Sequence, residues 1–416
     1  MEVPSGSWNE LLKHEADPSP FMKHEYLAAL HLSGSAGPDA GWQAQFMTLW
    51  QGERLCAACA MYLKNHSYGE YVFDWAWANA YDQHGLAYYP KALVAVPFTP
   101  VPGARLLAVD AHARSALVQA LVEHASRENL SSLHLLFLQA EDASVCKANG
   151  LMLRHTVQFH WQNAGTGLES LSTDESDAHD VKAAPHAEHA FIAGSCRYAS
   201  FGHFLDSLQQ EKRKKIRQER RKVAEAGVSF RWSLGRDIEK ADWHFFYRCY
   251  ERTYLEHGNA PYLNRDFFDR MSQTMSENWL LFVAEQAGQP IACSLIAIDP
   301  VLGVAYGRYW GALARVDCLH FEACYYQPIA WCIEHGYIRF EGGAQGEHKM
   351  ARALLPVKTT SAHWLAHPSF ADAVERFLAR EGEGVDQYVR HLEARSPVKR
   401  ASLAPRQMPG SGSQNG

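Results

Sequence analysis

The sequence lacks a long apolar run and a leader-like N-terminus. Its longest apolar stretches, such as residues 291–298, are far shorter than the roughly 18 residues that a membrane-spanning helix needs. Residues 1–20 carry acids and prolines instead of a basic segment followed by an apolar one, so no secretory or transit signal is visible. These absences predict a soluble, cytoplasmic protein.

A regular cysteine framework is also missing. The nine cysteines are an odd number without the spacing of a small disulfide-rich domain, which predicts that they are reduced. Cys56 and Cys59 form a C-x-x-C, but they lie in an apolar run with no second pair or imidazole nearby. We therefore favour strand packing over a zinc or redox site, and we expect no metal.

The length and composition indicate two globular domains. The chain has 416 residues, of which 47% are hydrophobic and 21% charged, and one domain is expected per roughly 150 residues. Residues 163–195 are rich in Ser, Thr, Asp, Ala and His and predict a flexible linker. The predicted organisation is an N-terminal extension (1–20), a first domain (21–162), this linker, a second domain (196–395) and a disordered tail (396–416).

The order of predicted elements is similar in the two domains. In the first, the pattern predicts strands at 43–60 and 71–77, a helix at 111–129, a strand at 133–138, a helix at 141–149 and a strand at 157–161. In the second, it predicts two helices (238–257, 265–276), three strands (280–285, 291–299, 303–310), a helix (319–335), a strand (337–340), a short helix (348–355) and a last strand (361–366). This order predicts mixed α+β domains, each a mainly antiparallel sheet flanked by helices, and suggests a duplication.

A strongly basic segment begins the second domain. Residues 204–226 are predicted to form one helix, although the whole chain has a net charge of −6. Such a run is either a solvated helix face or a phosphate-binding surface, and both interpretations stay open. Its eight cations within residues 211–222 are Lys212, Arg213, Lys214, Lys215, Arg217, Arg220, Arg221 and Lys222.

Several strings resemble a known family. They are GRYWG (307–311), LHFEACYYQPIAWCIEHG (319–336), FEGGAQGEHKMARALLP (340–356), and in the first domain YYPK (88–91) and VPFTPVPGARLL (96–107). Together they resemble the FemAB-like family of N-acyltransferases, of the peptidoglycan biosynthesis/recognition type, within the GNAT superfamily. The resemblance implies two tandem GNAT-like domains and transfer of an acyl or aminoacyl group to an amine.

Two groups of residues carry candidate acid–base chemistry. His320 and Glu322 begin the helix after the GRYWG strand, where Glu322 either acts as a base or merely favours the helix N-terminus electrostatically. Glu347 and His348 follow a glycine-rich turn that can present backbone N–H groups to an anion. These four are the predicted catalytic residues.

The predicted substrate-binding residues lie around the same segments. Arg308 can bind a phosphate or carboxylate, and the rings beside it can line a slot. The resemblance adds the first-domain residues of YYPK, a domain expected mainly to position substrate. The full set is Arg308, Tyr309, Trp310, Gln345, Gly346, Lys349, Tyr88, Tyr89 and Lys91.

The identity of the donor is left open between two molecules. The segment GALARVDC (311–318) lacks the glycine-rich pyrophosphate cradle of coenzyme A-dependent relatives. That lack and the basic helix favour an aminoacyl-tRNA donor over acyl-CoA, although the helix can equally meet a phosphorylated lipid or a nucleotide-sugar acceptor. The amine acceptor is predicted to be a cell-wall precursor or an amino-acid-like molecule. The alternative is a non-catalytic binder of cell-wall or nucleic-acid ligands.

Overall fold

The computed structural model describes residues 3–164, 197–343 and 346–399. Of the predicted linker (163–195) only Asn163 and Ala164 are described, and of the predicted tail (396–416) only residues 396–399. Gln345, a predicted substrate-binding residue, also lies outside the described residues. The helices and strands therefore belong to two halves, before and after the undescribed segment 165–196.

The described residues form a mixed α/β structure. The first half contains α1 (Ser5–Lys13), α2 (His24–Leu32), β1 (Gln43–Ala44), β2 (Met47–Gln51), β3 (Arg54–Cys59), β4 (Met61–Lys64), α3 (Trp75–Gln83), β5 (Lys91–Val94), β6 (Leu107–Ala108), α4 (Ala111–Arg127), β7 (Ser132–Leu138), α5 (Ala140–Ala148) and β8 (Met152–Gln162).

The second half begins with helices and continues with a meander of strands. Its elements are α6 (Phe201–Asp206), α7 (Gln210–Glu225), β9 (Val228–Leu234), α8 (Lys240–Glu256), α9 (Arg265–Thr274), β10 (Trp279–Gln286), β11 (Gln289–Asp299), β12 (Val304–Ala312), α10 (Leu319–Phe321), a π-helical turn (Glu322–Tyr326), α11 (Gln327–Glu334), β13 (Arg339–Glu341), a 3-10 helix (Glu347–Arg352), β14 (Leu355–Leu365) and α12 (Pro368–Ala394). None of the helices in the described ranges is long and apolar enough to cross a membrane.

One large sheet runs through both halves. Its strand order is β1-β4-β5-β7-β14-β8-β13-β12-β11-β10-β9, and a small second sheet contains β2, β3 and β6. The last strand of the second half, β14, lies between β7 and β8 of the first half. In turn, β8 pairs with β13 of the second half. The two halves therefore exchange strands and share one hydrogen-bonded sheet.

Each half contains one parallel pair of strands joined through a helix. In the first half β5 is parallel to β7 and α4 lies between them in sequence, whereas in the second half β12 is parallel to β13 and the helices α10 and α11 connect them. Parallel strands need such a crossover connection. The repeat of this unit agrees with the duplication expected from the order of elements.

Helices cover both faces of the sheet in the second half. On one face α8 presents Phe246 and Tyr250, one helical turn apart, and α9 adds Phe268. On the other face α11 buries Ile329 and α7 buries Ile216. This double burial explains why β10 is an almost continuous apolar run rather than an alternating one.

Two predicted elements differ from the structure. Residues 71–77 were predicted as a strand because they are aromatic, but α3 begins at Trp75 and buries Trp77 and Tyr81, which lie on one helical face. The basic segment is not one helix, since α6 ends at Asp206 and α7 begins at Gln210. Between them the Gln209 N–H donates to the carbonyl of Pro397, so a contact with the C-terminal segment replaces a helical bond.

Three helices, α1, α2 and α12, have no counterpart among the elements predicted from the sequence. Within the predicted N-terminal extension, α1 packs Trp8, Leu11 and Leu12 into the core. The 27-residue α12 packs along β8 and β14, and its Glu381 accepts two bonds of 2.8 Å from Arg154. Thus α1 packs against the small second sheet, whereas α12 covers strands that the two halves exchange.

Candidate active site at the divergence of two strands

The parallel strands β12 and β13 diverge in the middle of the second half. They pair only between residues 304–306 and 339–341, whereas β12 continues to Ala312. Opposite β11, Leu295 pairs with Tyr309 and Ile296 with Gly307, so Arg308 is the extra residue of a β-bulge. A Cβ on Gly307 would lie 3.1 Å from the Phe340 ring, which favours glycine where the strands separate. We call this opening, between Gly307 and Gly343, the β12–β13 gap.

Lys349 reaches the gap from the 3-10 helix. Its side chain is buried, and its Nζ donates a hydrogen bond of 2.8 Å to the carbonyl of Gly343. Burial lowers the pKa of Lys349 to about 8. A lysine with this pKa can exchange a proton near neutral pH, which a solvated lysine does much less readily.

Glu341, at the end of β13, is a second titratable group beside the gap. The carboxylate is buried, and burial raises its pKa to about 7 although Arg339 forms an ion pair with it at 3.0 Å. A carboxyl group with a near-neutral pKa can act as a proton acceptor or donor. Sequence reasoning missed Glu341, and its position one residue before the glycine turn is the signal that could have found it.

The predicted imidazoles His320 and His348 both contact Tyr325. The ring of His320 lies 5.4 Å from that of Trp310 and 5.7 Å from that of Tyr325, and burial lowers its pKa to about 4. His348 is exposed, its Nε2 lies 3.4 Å from the Tyr325 hydroxyl, and its pKa is lowered by partial burial and then by nearby cations. The His320 ring is therefore neutral at pH 7.

Gly346 and Glu347 lie on the solvent side of these two imidazoles. A Cβ on Gly346 would lie 2.4 Å from the His348 ring, and the residue has a φ of +119°, so glycine allows the imidazole to fold back onto the turn. The Glu347 carboxylate points outward, where Arg395 approaches to 3.2 Å and the Tyr388 hydroxyl to 3.5 Å. The structure thus places Glu347 at the rim rather than at the gap.

Glu322 is engaged by neighbours. It lies in the π-helical turn, where Arg220 of α7 approaches its Oε1 to 3.0 Å and Gln327 donates a bond of 2.7 Å. A base role would require this ion pair to open.

A second buried ion pair joins α7 to the 3-10 helix. Glu219 accepts a bond from the Tyr326 hydroxyl and bonds of 3.1 Å from Arg352, whose Nη1 donates to the carbonyl of His348. Sequence reasoning missed this pair. The signal lay in the periodicity, because Glu219 shares the buried stripe of α7 with Ile216 and Val223.

The cations of the basic helix differ in whether an acid lies near them. Towards the protein, Arg220 pairs with Glu322, and Arg217, Arg220 and Arg221 line an open groove of about 450 Å³ with an apolar wall. Of these groove residues, Arg217 and Arg221 also lie near acids, at 3.8 and 3.4 Å, and both are more than half exposed. Within the described ranges no ion pair is formed by Lys212, Lys214, Lys215 or Lys222.

The predicted first-half residues form a separate buried cluster. The Nζ of Lys91 donates to Ser67, Glu70 and Asp74, and the Tyr88 hydroxyl donates to Asp74 at 2.6 Å. Tyr89 is half-buried and reaches Ser67 at 2.8 Å. In the described part of the chain, no hydrogen bond or ring contact joins these residues to the β12–β13 gap.

A small cavity lies on the other side of the gap, where the two halves meet. It has a volume of about 160 Å³, and Arg308, Tyr309 and the backbone of Gly307 and Gly343 form part of its wall. Trp310 faces the opposite side of the sheet, towards His320. The structure therefore brings Arg308, Tyr309 and Lys349 to the gap and leaves Trp310 with the imidazoles. No group of three or more metal-ligating side chains occurs among the residues described.

Comparisons with solved structures find the same fold. The crystal structure of FemX matches with a TM-score of 0.50 at 10% identity, covering 90% of this chain and 99% of that one. L-PGS from Bacillus licheniformis (TM-score 0.49, 10% identity, 91% and 99% covered) and a tandem GNAT protein from the clavulanic acid biosynthesis pathway (0.38, 13%, 88% and 95%) are also similar. No curated protein sequence matches the chain.

The sequence also matches a family model, independently of the fold. The FemAB-like family model, described as peptidoglycan biosynthesis/recognition, matches residues 1–171 and again residues 170–400. These two matches and the likeness to FemX confirm the predicted pair of tandem GNAT-like domains. The description of the family names peptidoglycan biosynthesis or recognition, and FemX shares the fold. The chain belongs to the FemAB-like family.

Proposed function

We propose that this protein transfers an acyl or aminoacyl group from an activated donor to the amine of a peptidoglycan-related or amino-acid-like acceptor, in the cytoplasm and without a metal. The observation that carries the proposal is the β12–β13 gap, which has titratable groups on it and an open cavity beside it. Lys349 and Glu341 flank the gap, and Arg308 lies in the cavity wall. Donor and acceptor would meet there.

The chemistry requires one proton to move. The acceptor nitrogen forms a bond to the acyl carbon, the carbon–oxygen or carbon–sulfur bond of the donor breaks, and the proton lost by the amine passes to the leaving atom. Groups with pKa values near neutral serve both steps, and Lys349 at about 8 and Glu341 at about 7 have them. His320, Glu322, Glu347 and His348 remain proposed catalytic residues, of which the two imidazoles lie in one row leading from Trp310 to the surface.

Aminoacyl-tRNA is the donor we favour. The outward lysines of α7 form a cationic surface next to the helix that follows β12, and a nucleic-acid backbone is bound by such surfaces. FemX is similar in fold, but its 10% identity leaves the donor of this chain to experiment. Acyl-CoA is the alternative donor.

The test is a transfer assay with radiolabelled aminoacyl-tRNAs and acyl-CoA, offered separately with peptidoglycan precursors and amino acids. We expect labelled product with one donor, and a loss of about a hundredfold or more in turnover for Lys349→Met, which keeps the length of the side chain but not its amine. Lys240→Met, at the exposed start of α8, is the matched control and should retain activity.

A binding protein without catalysis is the second candidate, because the family description includes recognition and α7 offers an exposed basic face. It predicts saturable binding of a cell-wall or nucleic-acid ligand by the wild type, no product with either donor, and no effect of Lys349→Met on affinity. That set of results would replace the transferase proposal.

A further inference from the structure

The cavity beside the gap is built from both halves and is predominantly aromatic. It is about 160 Å³, smaller than the roughly 300–1,000 Å³ of pockets for drug-sized ligands. This size suits one amino-acid-like group. Its walls are formed by Tyr71, Phe98, Pro100, Tyr250, Tyr254, Tyr262, Leu263, Gly307, Arg308, Tyr309 and Gly343.

Arg308 is the single cationic side chain among these residues. Its Nη2 donates to the carbonyl of Phe98 at 3.0 Å and lies 3.3 Å from the Tyr309 hydroxyl. The same Nη2 lies 3.3 Å from the Thr99 hydroxyl, whereas Nε is buried without a partner in the described part of the chain. No described carboxylate forms an ion pair with Arg308, although the charge of Arg308 is felt at Glu341. Its guanidinium carbon lies 5.1 Å from the centres of the Phe21 and Tyr309 rings. The ring faces and the acceptors on Nη2 compensate the buried charge only in part, since Nε still lacks a hydrogen-bond acceptor.

Two of the seven described non-glycine residues with a positive φ line the same cavity. Tyr71 has a φ of +63° and Phe98 a φ of +56°, a left-handed conformation that bulky side chains rarely adopt. Both line the cavity, and the Phe98 carbonyl is the acceptor that fixes the guanidinium of Arg308. Such strain persists where the surrounding structure enforces it, often to hold a ligand-binding geometry.

We propose that this cavity is the acceptor subsite and that Arg308 binds a free carboxylate of an amino-acid-sized acceptor, whose side chain lies among the tyrosine rings. The inference rests on the proposed transferase function, which it deepens by naming the acceptor class. A carboxylate carries one charge and two acceptor oxygens, matching one guanidinium with free N–H groups. A phosphate dianion would call for further cations, and the cavity wall supplies only one.

The position of the cavity also orients the acceptor. Gly343 lines the cavity, and its carbonyl accepts the hydrogen bond from the Lys349 Nζ. A carboxylate held by Arg308 therefore leaves the rest of the molecule, with its amine, free to extend towards the β12–β13 gap. This arrangement selects amines that carry a carboxylate over simple amines.

Calorimetric titration of the wild-type protein tests the carboxylate without any substitution. The probes are L- and D-alanine, leucine, phenylalanine and glutamate, each compared with its carboxamide, and inorganic phosphate. We expect at least one carboxylate to bind about tenfold or more tighter than its amide, since the amide removes the charge that Arg308 would pair. Equal binding within every pair, no saturable binding of any carboxylate at millimolar concentration, or tighter binding of phosphate would each overturn the inference.

Variants then locate the site. Arg308→Met should abolish the preference for carboxylate over amide, and Tyr262→Trp should block binding by filling the cavity while leaving Arg308 in place. The matched control is Arg252→Met, on the exposed side of α8, which should bind as the wild type does. A preference that survives both cavity variants contradicts the assignment.

The transfer assay separates this inference from the proposed function. Turnover with simple amines as fast as with amino acids, unaffected by Tyr262→Trp, keeps the transferase and overturns the subsite. Carboxylate-selective binding that disappears in Arg308→Met, with no product from any donor, keeps the subsite and removes the transferase.

Discussion

Removing the charge of Glu219 offers a sharp test of how α7 is attached to the rest of the protein. Glu219 accepts two bonds of 3.1 Å from Arg352, which is only 2% exposed and stacks on the Phe321 ring at 3.4 Å. Glu219→Gln has nearly the same shape but leaves the guanidinium buried without a counter-charge. Breaking a buried pair in this way destabilises proteins by about 3–5 kcal/mol.

The same helix contains the matched control. Glu225 pairs with Arg221 at 3.4 Å, and both side chains are 68% exposed. Glu225→Gln therefore removes an equal charge from α7 where solvent screens it, and we expect a change of about 0–1 kcal/mol.

Urea denaturation followed by tryptophan fluorescence measures both changes as shifts in the free energy of unfolding. A double variant, Glu219→Gln with Arg352→Met, should recover most of the stability because it removes the unpaired charge as well. Equal effects of the two Glu→Gln changes, or a double variant less stable than Glu219→Gln alone, would refute the view that a buried ion pair holds α7.

Three further predictions concern the site and its surroundings. His348→Ala should lower turnover by about a hundredfold while leaving the thermal midpoint near that of the wild type, since the ring is exposed; unchanged turnover would remove it from the mechanism. The pKa of His320 is about 4 when folded and 6.5 in the unfolded chain, so its contribution to stability is present above pH 6.5 and is lost as the pH falls towards 4. Over that range the wild type should therefore lose stability relative to His320→Gln. A stability difference that stays constant with pH would contradict the burial argument. If α7 binds tRNA, log affinity should fall linearly with log salt. Changing Lys214, Lys215, Arg217 and Arg221 to Gln should flatten that slope by up to about 0.7–0.9 for each phosphate that is no longer neutralised, and four Gln substitutions elsewhere on the surface should not. A slope that stays the same would leave the helix as a solvated face.

Much of the local structure follows from apolar periodicity. The helix predicted at 111–129 is α4, at Ala111–Arg127, because its apolar residues recur at helical spacing and its Asp110 side chain caps the first turn. The strands of the β10–β12 meander were predicted within a few residues for the same kind of reason. Periodicity predicts which face of an element is buried, and for these elements that was enough to predict their type and approximate bounds.

Periodicity does not identify the partner of a strand, and this limited the prediction of the site. The segment 355–365 is recognisable in part as a strand, but nothing in its pattern indicates that it pairs with β7 and β8 of the first half. The contact of Arg308 with Phe98 joins residues 210 positions apart for the same reason. Motifs therefore predicted Lys349 and the imidazoles as chemically interesting residues, whereas the aromatic cavity forms only once the halves are assembled.

The exchange of strands also indicates that the first half does more than hold a substrate. His160 of β8 is opposite Glu341 on one side and Leu355 on the other, so β8 lies between the two strands that flank the glycine turn and the 3-10 helix. The Gly342 N–H donates to the carbonyl of Phe159, also in β8, at 3.3 Å. A first-half strand thus fixes the glycine turn. The next residue of that turn, Gly343, accepts the hydrogen bond from the Lys349 Nζ and lines the cavity. Because the hydrogen bonds that shape this turn come from the other half, the gap and the cavity can keep their geometry only while both halves stay in one sheet.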